Sequence, residues 1–330
     1  MATIGDVARR SGVSKTTVSH ALSGKRPVAP STQSKVLEAV EALSFRPNGV
    51  ARSLRMKRSH TVALLIPDIT NPYYPMLARG LQDAIIDNGY HLFLCNTDAQ
   101  REQEVGLVED ALQRQVDGIA IAAFEARTDD LKDALEGSVP LISIGPRIDH
   151  ANVDVVWTDD TRGAVRATRH LLQRGHRAVG MIGGTAGWVP SEARLAGFLS
   201  ALNGAGITFD PALLALGDFT RSGGADAMTR LMGLTTPPTA VFCANDLMAL
   251  GAMDVARDLG LAIPGDVALV GYDDIEAAAL VTPALTTVLN PAYEMGRVGG
   301  RLLLERAANG YRGERRQMIV PHRLIRRESA

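Results

Sequence analysis

The stretch VSKTTVSHAL, residues 13–22, crowds Lys15, Thr16, Thr17, Ser19 and His20 together. A lysine ammonium only donates hydrogen bonds, a hydroxyl donates and accepts, and an imidazole does either according to its tautomer. Val18, Ala21 and Leu22 are left to face a core. Such a set is either a solvated helix face or a surface that docks into a partner with polar edges. A second concentration of polar groups closes three apolar runs: Asp68 in LLIPD, Asn245-Asp246 in VFCAND and Asp273-Asp274 in LVGYDD. Carboxylates and amides placed there can hold a small polar ligand. The adjacent pairs Asp159-Asp160 and Asp273-Asp274 can diverge rather than form an acid–base dyad, and His170 and His176 lack evident metal partners.

The elements that position the first group are short and helical. Thr3 caps a helix running to Arg10, with Asp6 three residues on and Ile4, Val7 and Ala8 as its apolar face. Ser11-Gly12-Val13 is a tight turn, because Gly12 tolerates a left-handed backbone. Ser14 caps the helix quoted above. Two helices joined through a central glycine have the sequence form of a helix-turn-helix. A third helix over residues 31–43, preceded by Pro30, closes a small core with Val36, Leu37, Val40 and Leu43. FRPNGVARSLRMKRSH follows, where Pro47, Asn48 and Gly49 break regular structure and Asn48 caps a short helix over 50–54. Nucleation cost keeps so short a helix from persisting alone, so it reads as a linker that orders on binding.

From Thr61 the pattern changes to apolar strands alternating with amphipathic helices. TVALLIP, HLFLC, GIAIAA and PLISIG form one set; AVGMIGG, ALLALG, AVFCA and VALVGY form another. Strands without clear alternation, each followed by a helix, indicate parallel sheets covered on both faces. Two sets of about four predict two doubly wound lobes, with ligand beyond the carboxyl ends of the strands, in the cleft between them. Cys95 and Cys243 lie in apolar runs and read as buried thiols of a reducing compartment.

The charge is unevenly divided. Eleven Lys/Arg against three acids give residues 1–60 a surplus of eight positive charges, whereas the whole chain of 330 residues is at −1. A basic module on an acidic body points to a polyanionic partner for the module. The start MATIGDVARR has no basic-then-apolar pattern, so neither export nor a membrane association is expected. There is no GxxxxGK[ST], strand-linked GxGxxG, serine elbow or HExxH, and an enzyme is not expected. A solute-binding protein of the periplasmic sugar-binding type is the alternative, opposed by the basic head.

TIGDVARRSGVSKTTVSHALSG, RPNGVARSLR, NPYYPMLARGLQDA, HLLQRGHRAVGMIGG, ARLAGF, FCANDLMALGAM, IPGDVALVGYDD and PALTTV, in this order and spacing, resemble the LacI/GalR family of bacterial transcription regulators over essentially the whole chain. The DNA-binding segment is similar to that of the family's purine repressors, which also pair TTVSH with VARSL. The resemblance implies a helix-turn-helix domain over 1–46 and a hinge helix and linker over 47–60. It also implies a periplasmic-binding-protein-like α/β core, with one lobe from 61–160 and 291–321 and the other from 161–290 and 322–330. The expected activity is that of a cytoplasmic, nucleoid-associated repressor: a homodimer that binds a palindromic operator in double-stranded DNA under the control of a small metabolite, with no cofactor.

By the same resemblance Lys15, Thr16 and His20 face bases, and Thr3, Ser14, Thr17 and Arg26 hold phosphates. Lysine donates to guanine O6 and N7, and threonine can touch a thymine methyl; phosphate contacts fix position without reading sequence. Many family members have arginine where this chain has His20. Leu54, flanked by Ala51 and Arg55, corresponds to a wedge inserted in the minor groove at a central CG step, where unstacking is offset by added contacts. The implied effector contacts are Asp68, Tyr73, Trp188, Arg194, Phe219, Asn245 and Asp273. Trp188 and Pro190 replace an arginine and a threonine of the purine repressors, which argues against a purine and for a sugar or sugar derivative. Trp188 stacks on a sugar ring in one reading and packs on its own lobe in the other. The C-terminal PHRLIRRESA shows no tetramerising heptad repeat, so a dimer is expected.

Overall fold

The computed structural model describes residues 2–23, 26–45, 58–308 and 310–330, which separate into a head ending at Ser59 and a body beginning at His60. Ala51, Leu54 and Arg55 lie outside the described residues. In the head, α1 (Ile4–Ser11) opens with a reciprocal cap: the Asp6 amide donates to Thr3 Oγ1, and Asp6 Oδ2 accepts from the Thr3 amide at 2.9 Å. Gly12, at φ +69°, ends it in the left-handed region. The Thr17 amide then donates to Ser14 Oγ at 3.1 Å, capping α2 (Lys15–Ser23). In α3 (Pro30–Ala42), the proline takes a first-turn position where no N–H is needed. Val7, Ala8, Val18, Ala21, Val36 and Ala39 form the core. Leu37, expected in that core, is instead 50 % exposed, because Val36 and Ala39 take the inward face of α3.

The body is built from two six-stranded sheets of identical winding. The first has the order β11-β5-β4-β3-β1-β2, with β1 Thr61–Ile66, β2 His91–Asn96, β3 Gly118–Ile121, β4 Leu141–Ile144, β5 Asp154–Trp157 and β11 Gln317–Ile319. The second has the order β12-β10-β9-β8-β6-β7, with β6 Val179–Gly183, β7 Leu214–Leu216, β8 Ala240–Cys243, β9 Ala268–Asp273, β10 Thr286–Leu289 and β12 Arg323–Ile325. Pairing is parallel except where β12 runs against β10. The expectation of about four strands per sheet is thus low: β5, β10, β11 and β12 are short, and polar residues dilute them. Cys243 is buried, but Cys95, expected to be buried too, is only half so, because β2 is a sheet edge with Phe93 59 % exposed.

The helices that position the cleft are α4 (Tyr73–Ile85), α5 (Arg101–Gln113), α7 (Asp160–Gln173), α8 (Val189–Gly204), α9 (Arg221–Met232), α10 (Asp246–Asp258) and α12 (Ala292–Ala307), with α6 (Lys132–Glu136) and α11 (Glu276–Leu280) as short turns. α4 and α12 pack at very close range: a β-carbon at Gly80 or Gly296 would fall on the Tyr293 or Leu77 carbonyl. The chain passes between the two sheets three times, near Thr158, Asn290 and His322. The returning segment is held by Asp154, fully buried, which accepts from Arg306 Nη2 and Arg316 Nη2, each at 2.7 Å.

Candidate functional site

On the head, Lys15 and Thr16 are exposed at the start of α2, and His20 is half-buried one turn later. The three therefore share an outward face while Val18 and Ala21 point into the core. Of the four residues expected at phosphates, three also make contacts within the head. Thr3 Oγ1 donates to Asp6 at 2.8 Å, Ser14 and Thr17 hydroxyls lie 2.9 Å apart, and Arg26 is exposed. The backbone hydrogen bond from Thr3 lowers the Asp6 carboxyl below its ordinary range, so a carboxylate caps α1 where the helix dipole favours negative charge.

In the body a cavity of about 310 Å³ lies between the carboxyl ends of the two sheets, at the small end of ligand pockets. Asp68, Tyr73, Trp188, Arg194, Phe219 and Asp273 all line it. Asn245 does not: its Oδ1 accepts from the Met248 amide at 2.9 Å, capping α10, and its Nδ2 donates to the Phe219 carbonyl at 2.9 Å. Its contribution is to fix the Phe219 turn. Asp246 is likewise turned into the lobe, accepting from the Ile275 amide at 2.9 Å; burial pushes its carboxyl well above the usual range.

Arg194 is the electrostatic centre. It is 4 % exposed, lies with Cζ 3.8 Å from the centre of the Tyr272 ring, and donates through Nε to Asp160 at 2.9 Å and through Nη1 to the Ala244 carbonyl. Burial opposes its charge, but Asp160 and Asp273 outweigh burial and hold its proton more firmly than usual. Nη2 also stands 3.7 Å from Asp273. Asp273 is pushed up to about 6 by burial, against the pull of Arg194 and of a hydrogen bond from Asn290 Nδ2 at 3.1 Å. The Asp159-Asp160 and Asp273-Asp274 pairs diverge: Asp159 caps α7 and Asp274 pairs with Arg327, so only Asp160 and Asp273 reach the cavity.

The backbone is unusual here. Of eight non-glycine residues with positive φ among those described, Asp98, Ala99, Phe219 and Asp273 line the cavity; such conformations cost energy and cluster at sites that use them. Trp188 packs on its own lobe and also reaches across to the other. It stacks on Phe219 of its own lobe, with centroids 5.7 Å apart and planes 9° from parallel. It meets Phe124 of the other lobe edge-on, and its Nε1 donates to Glu125 Oε1 at 2.8 Å. The Phe124–Ala126 loop is itself fixed, because the buried Glu104 accepts from all three amides at 2.6–3.1 Å. Arg147 donates to the Ala126 and Glu125 carbonyls from the opposite side.

Sequence reasoning missed Asn290, Asp160, Asp98, Asp218, Trp157 and Arg147, which also line the cavity. Asn290 sits at a crossing between lobes, accepting from Tyr73 Oη at 3.4 Å and Thr158 Oγ1 at 3.3 Å while it donates to Asp273. The Asn-Pro pair that ends β10 was its only local signal. Among the described residues no cluster of His, Cys, Asp and Glu is arranged to hold a metal ion, and no helix is long and apolar enough to cross a membrane.

Two family models match the chain: bacterial regulatory proteins of the lacI family over residues 3–48, and a periplasmic binding protein-like domain over 168–330. The HTH-type transcriptional repressor PurR of Pasteurella multocida (strain Pm70) is 35 % identical over 98 % of this chain and 96 % of its own length. The ribose operon repressor of Escherichia coli (strain K12) is 34 % identical over 97 % and 98 %. Among solved structures, a transcriptional regulator CelR–cellobiose complex matches at 32 % identity and TM-score 0.75, covering 100 % of both chains. The lac repressor dimer bound to operator and the anti-inducer ONPF matches at 25 % identity and TM-score 0.88, covering 99 % of this chain and 98 % of that one. These relatives are regulators rather than enzymes, and the chain belongs to the LacI family of bacterial regulatory proteins.

Proposed function

We propose that this chain is a repressor that binds a palindromic operator as a homodimer and changes its grip when a small metabolite, a sugar or sugar derivative, occupies the cleft of the body. The observation that carries the reading is the pairing on one chain of a helix-turn-helix head with outward Lys15, Thr16 and His20 and a body whose cavity gathers Asp68, Tyr73, Trp188, Arg194, Phe219 and Asp273. In this reading residues 1–46 read the duplex, 47–60 link head to body, 61–160 with 291–321 make one lobe, and 161–290 with 322–330 make the other. Lys15, Thr16 and His20 contact base edges; Thr3, Ser14, Thr17 and Arg26 contact phosphates; Ala51, Leu54 and Arg55 enter the minor groove. Asn245 supports the cavity from behind.

The protein acts without catalysis, in the cytoplasm and on the nucleoid. The effector works by binding two arrangements of the lobes unequally, the condition for any coupling between sites. Fluorescence anisotropy of the purified chain on palindromic and random duplexes tests the reading. Preference for a palindrome, altered by a metabolite that also raises Tm, is the expected result. Equal affinity for all duplexes, with and without metabolites, would overturn it.

A further inference from the structure

Resting on the cleft reading above, we infer that the effector is an uncharged, hydroxyl-rich molecule, an unphosphorylated sugar, and that the cleft discriminates against phosphate esters. The cavity lining holds five carboxylates, Asp68, Asp98, Asp160, Asp218 and Asp273, against two guanidiniums, Arg147 and Arg194. Both guanidiniums already spend donors on the protein. Arg194 serves Asp160 and the Ala244 carbonyl, and Arg147 serves the carbonyls of Ala126 and Glu125.

The carboxylates are occupied on one side only. Asp68 Oδ1 accepts from the Thr70 amide and hydroxyl at 2.8 and 2.6 Å, and Asp218 Oδ1 accepts from the Thr220 amide and hydroxyl at 2.9 and 2.6 Å. Asp98 and Asp273 likewise accept through Oδ1, from Asn96 and Asn290. Among the described residues, Oδ2 of Asp68, Asp98, Asp218 and Asp273 has no protein partner. The cleft therefore offers acceptors and asks its ligand for donors. Ionised carboxylates only accept, so a phosphate ester, itself acceptor-rich and anionic, meets repulsion where a hydroxyl meets a hydrogen bond. Tyr73, Trp157 and Phe219 supply apolar surface for the C–H face of a ring.

Matched pairs test this on the full chain: pentoses, hexoses and β-linked disaccharides beside their monophosphate esters, by thermal shift and then calorimetry. The parent sugar that binds should do so at least about tenfold more tightly than its ester, the gap shrinking several-fold in Asp218→Asn and widening at low salt. An ester that binds as tightly as its parent, or more so, overturns the inference. A chain that selects a palindrome yet responds to no sugar or ester overturns the sugar reading beneath it.

Discussion

Trp188 Nε1 and Glu125 Oε1 lie 2.8 Å apart across the cleft, and this hydrogen bond joins two loops that belong to different sheets. Because Glu104 and Arg147 hold the Glu125 loop on both sides, the carboxylate waits in place for the indole. Trp188→Phe keeps an aromatic ring against Phe219 while removing the donor together with part of the indole. A hydrogen bond to a charged acceptor contributes about 1 kcal/mol when partly solvated, so effector affinity should fall by about fivefold. Glu125→Ala should do the same, and the double variant should cost little more than either single one. Additive losses in calorimetry would show that the two side chains do not act as a unit.

Asp273 gives the body a pH signature. Its carboxyl sits at about 6 in the folded protein, above its ordinary value of 3.8, so the native state holds a proton that the unfolded chain has released. Stability then falls as pH rises from about 4 to about 6 and is level above that window. Asp273→Asn removes this pH dependence. The difference in stability between variant and native chain should move in favour of the variant by up to about 3 kcal/mol over the window. Urea titrations at pH 4.5, 5.5, 6.5 and 7.5 measure it, and a constant difference across all four would contradict the assignment.

The head predicts two kinds of DNA defect. Replacing His20 or Thr16 with Ala should cost about 1–3 kcal/mol on the preferred operator and relax selection at one base pair per half-site. Replacing Arg26 with Ala should weaken all sequences alike and lower the salt slope by about one per subunit. Anisotropy on operators with single base-pair changes, repeated at several salt concentrations, separates the two patterns. Under the proposed minor-groove role of Leu54, Leu54→Ala should weaken operator binding markedly.

Two glycine substitutions should have opposite signs. Gly296→Ala drives a methyl into the Leu77 carbonyl between α4 and α12, and overpacking of this kind should lower Tm by roughly 5–10 °C. Gly106, within α5, has open space around its α-carbon. Gly106→Ala should stabilise by about 0.5–1 kcal/mol, because alanine loses less backbone freedom in a helix. Calorimetry of both variants checks the pair.

Much of this architecture is written in local pattern. Thr3, Gly12 and Ser14 mark the head because caps and turns are decided within a few residues, and Asp68 and Asp273 are visible because they end apolar runs. Asn245 shows the limit of such patterns: a polar residue between a strand and a helix reads equally as ligand contact and as cap, and here it caps α10. Asn290 and Asp160 were illegible because their roles arise from the chain passing between lobes, a long-range event with no local periodicity. β11 and β12 are too short, at three residues each, to show any pattern before their partners are known.

The three passages of chain between the sheets carry an evolutionary consequence. Neither lobe is a continuous stretch of sequence, since each receives a late strand from the C-terminal segment. A single genetic crossover cannot replace one lobe with that of a relative without leaving some strand beside a foreign sheet. The head, continuous up to Ser59, has no such entanglement. Recombination can therefore hand this sensor a new address on the chromosome in one step, while a new chemical taste must be acquired residue by residue within the cleft.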